Sequence, residues 1–178
     1  MKKALLLLLA VSIFSTLAYA RSKKFEGMVI YVSDGDTIVV KPSDKGHEVK
    51  CRLYGIDAPE VAHEGKPGQP FGEEAADVLE KMVGGKTVKV ELTGERSYDR
   101  EICRVTLDGW DVNREMIRRG LAWAYVKHLK RSYKKSYIAT EEEARKKGEG
   151  LWSAGDVLSP WDFKKEYWNL DPAPSIKE

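Results

Sequence analysis

The chain has 178 residues, with 30 Lys and Arg, 28 Asp and Glu, and two cysteines. That length holds one domain with a real core and hardly two. The near-neutral balance gives bulk charge no part in attracting nucleic acid or a membrane surface, so any such partner must be recognised by local patches.

Residues 1–20, MKKALLLLLAVSIFSTLAYA, set Lys2 and Lys3 before an apolar run from Ala4 to Leu17 and close on Ala18-Tyr19-Ala20. This is the pattern of a cleaved export signal, and the run is short for a bilayer span. An uncleaved anchor is the competing reading. No lipobox-like cysteine and no second long apolar stretch follow. The expectation is an exported, periplasmic or secreted chain with no stable membrane association after signal removal. Without Lys2 and Lys3, basic and acidic residues balance at 28 each.

Residues 21–24 read as a frayed start. FEGMVIYVS (25–33), rich in β-branched and aromatic residues, predicts a strand. DGD (34–36) makes a tight turn, TIVVK continues as a second strand, and EVKCRLYGI (48–56) is a third, giving a β-meander. The stretch from Asp57 to Gln69 is loop. Phe71, Ala75, Val78, Leu79 and Met82 then recur at helical spacing, and Gly84 and Gly85 stop that helix. TVKVEL (87–92) and ICRVTL (102–107) are the fourth and fifth strands. A second helix starts at the N-cap Asp111 and ends at Gly120. A third lies within 134–147, beginning near Lys134 or, through a Thr140/Glu143 capping box, later.

The order β-β-β-α-β-β-α-α predicts a mainly β, α+β fold: a five-stranded OB-fold Greek-key barrel with about three helices. Residues 21–153 make the domain. Residues 154–178, with Trp161 and Trp168 among prolines, form an extension packed on it or trailing from it.

Two tempting motifs fail. Counted from Asp34, a calcium loop would need glycine at Val39 and glutamate at Lys45. GGKT (84–87) lacks its upstream glycine, because Glu80 stands there inside a helix. No Cys/His spacing resembles a zinc site, and His63 and His128 read as isolated surface residues. Cys51 and Cys103 form either a disulfide, as an exported chain permits, or two buried thiols.

Asp36, Arg52, Asp57, Glu60 and Arg100 are more informative. Asp36 opens the second strand and Asp57 closes the third, so the two carboxylates meet at one end of the meander, where a hard divalent cation satisfies both. Arg52, inside an apolar strand, needs an anion, and a phosphate matches its fork. A salt-bridge cluster at the barrel rim is the plainer reading of the same spacing. Between Trp123 and Tyr137, Lys127, Lys130, Arg131, Lys134 and Lys135 interleave with aromatics. Single-stranded nucleic acid asks for that mixture, and a solvated basic loop also produces it.

SDGDTIVV, CRLYGIDAPE, GQPFGEEA, SYDREICRVTLDG, VNREMIRRGLAWAYV and EGLWS, collinear from about Gly27 to Ser153, resemble the staphylococcal-nuclease-like (thermonuclease) family. PWDF, near the end, is similar to the tail of many bacterial members. The resemblance implies a calcium-dependent phosphodiesterase that cuts DNA and RNA to 3′-phosphate products, with one Ca2+ per site; a monomer that prefers single strands is the accompanying expectation. It places Asp36, Asp57 and the Ala58 carbonyl on the metal, Glu60 as general base, and Arg52 and Arg100 on the phosphate. Tyr125 falls near the substrate-stacking tyrosine, with Lys127, Lys130 and Arg131 beside it on the nucleic acid. The chain departs from the family at Arg96-Ser97-Tyr98-Asp99-Arg100, where the usual glycine is absent and Asp99 stands beside Arg100. The same barrel makes the strands of Cys51 and Cys103 neighbours and implies a cross-strand disulfide. Two competing expectations are an inactive OB-fold module that binds single-stranded nucleic acid and an envelope module for another ligand.

Overall fold

The computed structural model describes residues 24–44 and 46–169, so the export-signal reading of residues 1–20 lies outside the described residues. Along the chain the strands are β1 (Lys24–Asp34), β2 (Thr37–Pro42), β3 (Val49–Leu53), β4 (Ile56–Asp57), β5 (Thr87–Ser97), β6 (Arg100–Leu107), β7 (Trp110–Asp111) and β8 (Trp123–Ala124). The helices are α1 (Gly72–Val83), α2 (Val112–Arg118), α3 (Arg131–Lys147) and α4 (Pro160–Tyr167), with short 3-10 turns at Val126–His128 and Gly150–Ala154.

Five long strands pair in the order β3-β2-β1-β5-β6, and a parallel β3–β6 pairing closes them into the OB-type barrel. β1 is long enough to pair with both β2 and β5. Its register slips between Val29 and Tyr31 and again between Val32 and Asp34. Such bulges bend a strand and raise its twist, which a small closed barrel needs. Inward-facing Val29, Ile38, Val40, Leu53, Val88, Val90 and Val105 fill the interior. Ala75, Leu79 and Val83 of α1 and Met116 and Ile117 of α2 close over it. Each buried Leu or Ile contributes about 2 kcal/mol relative to exposure. Cys51 and Cys103 are joined in a disulfide, their Cα atoms 5.5 Å apart.

Two expectations need correction. The third strand does not run on to Asp57. It ends at Leu53, the chain turns at Tyr54-Gly55, and Asp57 lies in β4, paired with Trp123 of β8. Gly55 makes this turn possible, with φ of +76° and Leu129 so close that a Cβ would lie 2.3 Å from its Cδ2. α3 begins at Arg131, ahead of both expected starts. There are four α-helices among the described residues, the fourth being α4 in the tail. Its start is written in sequence: the Ser159 hydroxyl accepts from the Asp162 N–H at 3.3 Å, and Pro160 occupies the first turn.

Candidate active site at the barrel end

Arg52 and Asp57 are five residues apart, a spacing that would put them on opposite faces of a straight strand. The Tyr54-Gly55 turn reverses this and brings both to one place. Asn113 of α2 fixes the turn: its side-chain amide donates to Tyr54 O at 3.0 Å and Cys103 O at 3.1 Å, and its carbonyl accepts from Val105 N at 3.0 Å. The Arg52 guanidinium then donates from Nη1 to Asp36 Oδ1 at 2.9 Å and from Nη2 to Asp57 Oδ1. The carboxylates are 3% and 4% exposed and Arg52 17%, so the cluster is buried rather than solvated. Asp36 also accepts from the Thr37 hydroxyl at 2.9 Å and from Ala58 N at 3.1 Å.

Glu60 reaches the same region through the backbone. Its carbonyl accepts from Gln69 N at 2.8 Å, while its N–H is 3.4 Å from the Gln69 side-chain oxygen. Gly72, the first residue of α1, packs so closely that a Cβ there would stand 2.1 Å from Glu60 O. This loop-to-helix contact sets where the Glu60 side chain begins. Arg100, opening β6, donates from Nη1 to the Thr37 hydroxyl at 3.3 Å, next to Asp36. Asp99 is turned to Lys50, 3.1 Å away at the surface. The two-residue turn before Arg100 has Tyr98 at φ +57°, the conformation a glycine would adopt without strain.

The sequence reading did not include Asp34, Thr37, Asn113, Gln69, Trp161 or Lys164, all of which shape this site. Asp34 Oδ1 accepts from Asp36 N at 2.9 Å. Lys164 of α4 places its ammonium 2.7 Å from Glu60 Oε1 and 3.4 Å from Asp57 Oδ1. Trp161, one turn earlier, puts its ring centroid 5.5 Å from that of Tyr125. The family resemblance had reached this segment only as PWDF, and nothing local marked its lysine as different from a surface charge.

The charges act on one another strongly. Burial alone would raise Asp36, but Arg52, then Lys164 and Arg100, hold its carboxyl below the ordinary value. Burial, followed by the nearby Asp36 charge, pushes Asp34 up to about 7. Burial also raises Glu60, against the opposing pull of Lys164. For Lys164, burial works against its charge, yet Asp57 and Glu60 carry its ammonium above the ordinary value. Tyr125 is half-buried, its phenol pushed up by burial and then by Asp57. Lys127, Lys130 and Arg131 are exposed around the start of α3 and are not drawn into the cluster. His63 is exposed, with Trp168 against its ring, and the His128 side chain is outside the described residues.

Two buried carboxylates bridged by one guanidinium, followed at once by the Ala58 backbone, are hard oxygen donors, and such a set suits a hard divalent cation such as calcium. Among the described residues no three His, Cys, Asp or Glu side chains are gathered to hold a metal by themselves. Any cation here would therefore rely on the Asp36–Asp57 pair and on oxygens that are not acidic side chains.

Residues 50–154 match the model of the family described as staphylococcal nuclease homologue. The chain is 38% identical over 130 residues to the probable endonuclease LCL3 of Komagataella phaffii, covering 69% of this chain and 57% of that protein. It is 31% identical over 165 residues to an uncharacterized endonuclease of Haemophilus influenzae, covering 92% and 86% respectively. With an uncharacterized endonuclease of Escherichia coli it shares 37% over 139 residues, covering 78% and 84%. It thus spans little more than half of the first relative and most of the other two. The match runs through β3, the disulfide pair, α1 and the Asn113-bearing helix that together build the site, and the chain belongs to the staphylococcal nuclease homologue family.

Proposed function

We propose that this chain is an exported, calcium-dependent nuclease that hydrolyses phosphodiester bonds in DNA and RNA to 3′-phosphate products. The observation that carries the reading is the cluster in which Arg52 bridges Asp36 and Asp57 while Lys164 links Asp57 to Glu60, with Arg100 one hydroxyl away. A salt-bridge cluster serving only stability has no need of a third carboxylate and a second arginine at the same barrel end. The names of the relatives support nuclease chemistry, and the resemblance supports calcium and the product.

In this reading Asp36, Asp57 and the Ala58 carbonyl hold the calcium ion, which when bound supplies Lewis acidity and charge neutralisation. Glu60 takes the proton of the attacking water, and its raised carboxyl is suited to that exchange. Arg100 spends one of its N–H groups on Thr37 and offers the rest to the phosphate. Arg52 and Arg100 together stabilise charge developing on phosphorus.

Tyr125 lies close enough to Asp57 to feel its charge and offers a ring to a base. Lys127, Lys130 and Arg131 follow it at the positive N-terminal end of α3, whose first turn carries no acid. Cations there are unfavourable to the helix itself, which supports a role toward an anion such as a single strand. Export is supported by the pattern of residues 1–20 and by the disulfide, which persists in oxidising compartments. In this reading the mature chain acts as a monomer, periplasmic or secreted.

The test incubates the mature chain with single-stranded DNA and with RNA, in calcium and in excess chelator, beside Glu60→Ala. Calcium-dependent cleavage that is lost in the variant is the expected result. A shifted band that persists in chelator without cleavage would make the chain a binding module instead.

A further inference from the structure

Lys164 is a cation of this site that the reading of the sequence did not single out. Its ammonium bridges Glu60 and Asp57, two carboxylates from the barrel end, while its own backbone belongs to the tail. The delivery is built rather than incidental. Before α4, the Gln69 side-chain amide donates to Leu158 O at 2.6 Å. Phe163 is buried, its ring stacked with Tyr167 and edge-on to Trp168. After the helix, Trp168 Nε1 donates to Pro67 O at 3.0 Å, and Lys66 lies over its ring at 4.9 Å. A helix tied at both ends holds Lys164 at a fixed place on its face. The side chain is only 22% exposed.

The cluster is balanced by the chain's own cations. Arg52 neutralises Asp36 and Asp57 together, and Lys164 neutralises Glu60 and shares Asp57. A divalent ion that takes an Asp57 oxygen at about 2.3–2.6 Å meets an ammonium already 3.4 Å from that carboxylate. Two cations so close repel strongly in a buried site. We infer that Lys164 is a counter-cation of the site beside Arg52, which a divalent ion must displace from Asp57 and Glu60, so that this side chain lowers the metal affinity. The inference rests on the proposed calcium site. Because α4 is anchored, displacement is a swing of the four-carbon side chain and not a lifting of the helix.

A cation within about 4–6 Å weakens the hold of a carboxylate on a proton tenfold or more. A divalent ion, with twice the charge, is affected at least as much. Calorimetric titration of the mature chain with calcium chloride, without nucleic acid, should therefore show Lys164→Met binding about tenfold or more tightly than the unsubstituted chain. Lys164→Arg, which keeps the charge, should stay near the unsubstituted value. Binding by Lys164→Met alone also supports the inference, whereas equal or weaker binding overturns it. In the unsubstituted chain, amine acetylation read by mass spectrometry provides a measure that does not depend on how the variants fold. Lys164 should become more reactive at saturating calcium, and unchanged protection overturns the inference. Calcium-dependent cleavage with equal affinities would sink the inference and leave the nuclease reading standing. No calcium binding in any form would sink both the inference and the calcium reading. Displaceable Lys164 without cleavage would sink the nuclease reading alone.

Discussion

Replacing Arg52 with methionine keeps an unbranched apolar stem and removes the guanidinium that, among the described residues, touches both Asp36 and Asp57. The carboxylates are 3% and 4% exposed, so water does not take over. Removing one partner from a buried ion pair costs about 3–5 kcal/mol. Here Asp36 keeps the Thr37 hydroxyl and the Ala58 N–H, and Asp57 keeps Lys164 at 3.4 Å. Those contacts put the expected loss at the lower end, about 3 kcal/mol. The sign with pH follows from Asp36. Its carboxyl is held below the ordinary value, with Arg52 the largest opposing influence to burial. It therefore stabilises the fold above the unfolded carboxyl value, and that contribution is lost as pH falls through the folded one. Without Arg52 the largest influence opposing burial is gone, so the Asp36 charge is held less well and the variant is expected to lose most at neutral pH and least in acid. Urea unfolding in chelator, followed by tryptophan fluorescence, should show a gap of about 3 kcal/mol at pH 8 that narrows toward pH 4. Calcium should return part of the loss by binding the folded state. A gap under about 1 kcal/mol at pH 8, or one of equal size at both pH values, would refute the argument that this guanidinium neutralises the pair.

Two further predictions concern the frame around the site. The disulfide closes a loop of 52 residues, which in the chain-entropy account is worth about 4 kcal/mol. The double variant Cys51→Ala/Cys103→Ala should lose about that much in a guanidinium titration, and a loss below about 1 kcal/mol would show that the loop constraint is not what the bond supplies. At Tyr98, 80% exposed with φ of +57°, a left-handed conformation costs a bulky residue about 1–2 kcal/mol. Tyr98→Gly removes that cost and adds unfolded-chain freedom worth about 0.4–1 kcal/mol. A net gain of about 1 kcal/mol is expected; a lower urea midpoint in the variant would count against the strain.

The barrel was legible because its signals are local. The strands show as alternation or β-branched runs between Gly and Asp turns, and α1 shows as one apolar stripe. The carboxylate–arginine set was noticed through local signals as well, although Asp57, expected at the end of the third strand, lies in β4 beyond a turn. How the set assembles was not legible. LYGID reads as continued strand because Tyr54 and Ile56 flank the glycine with β-forming side chains. Only the packing of Gly55 under Leu129, and of Asn113 against Tyr54 O, shows that the chain turns there. Asn113 is invisible to pattern reading: an asparagine inside a helix looks like a weak helix former, and its value lies in three backbone groups on other elements. The start of α3 was read near Lys134 from the spacing of Tyr137, Glu141 and Ala144, or later from a Thr140/Glu143 capping box, and the helix begins at Arg131. Thr140 instead donates its hydroxyl to Ser136 O at 2.8 Å, four residues back inside a continuous helix.

Lys164 marks the limit of local reading most sharply. It meets Glu60 and Asp57 across 104 and 107 residues of chain. In KKEY, within a helix of mixed charge, a lysine carries no sign of which way it faces. The family match does not supply it either, because residues 50–154 end before α4 begins, and they begin after Asp36. The two charges that most directly frame the site from outside that range, one acidic and one basic, therefore come from β1–β2 and from the tail. One weak sign was present in the sequence: a Ser-Pro helix start followed by Trp161 and Lys164 three residues apart puts an aromatic ring and a cation on a single helix face. That pairing acquires meaning only once Tyr125 is seen under the ring and Glu60 under the ammonium. A barrel end with three carboxylates and two arginines already has the groups that the resemblance implies. A helix that then brings a third cation onto the proposed base and one of the proposed metal carboxylates changes what an incoming ion must overcome, so the energetics of this site belong to the barrel and the tail together.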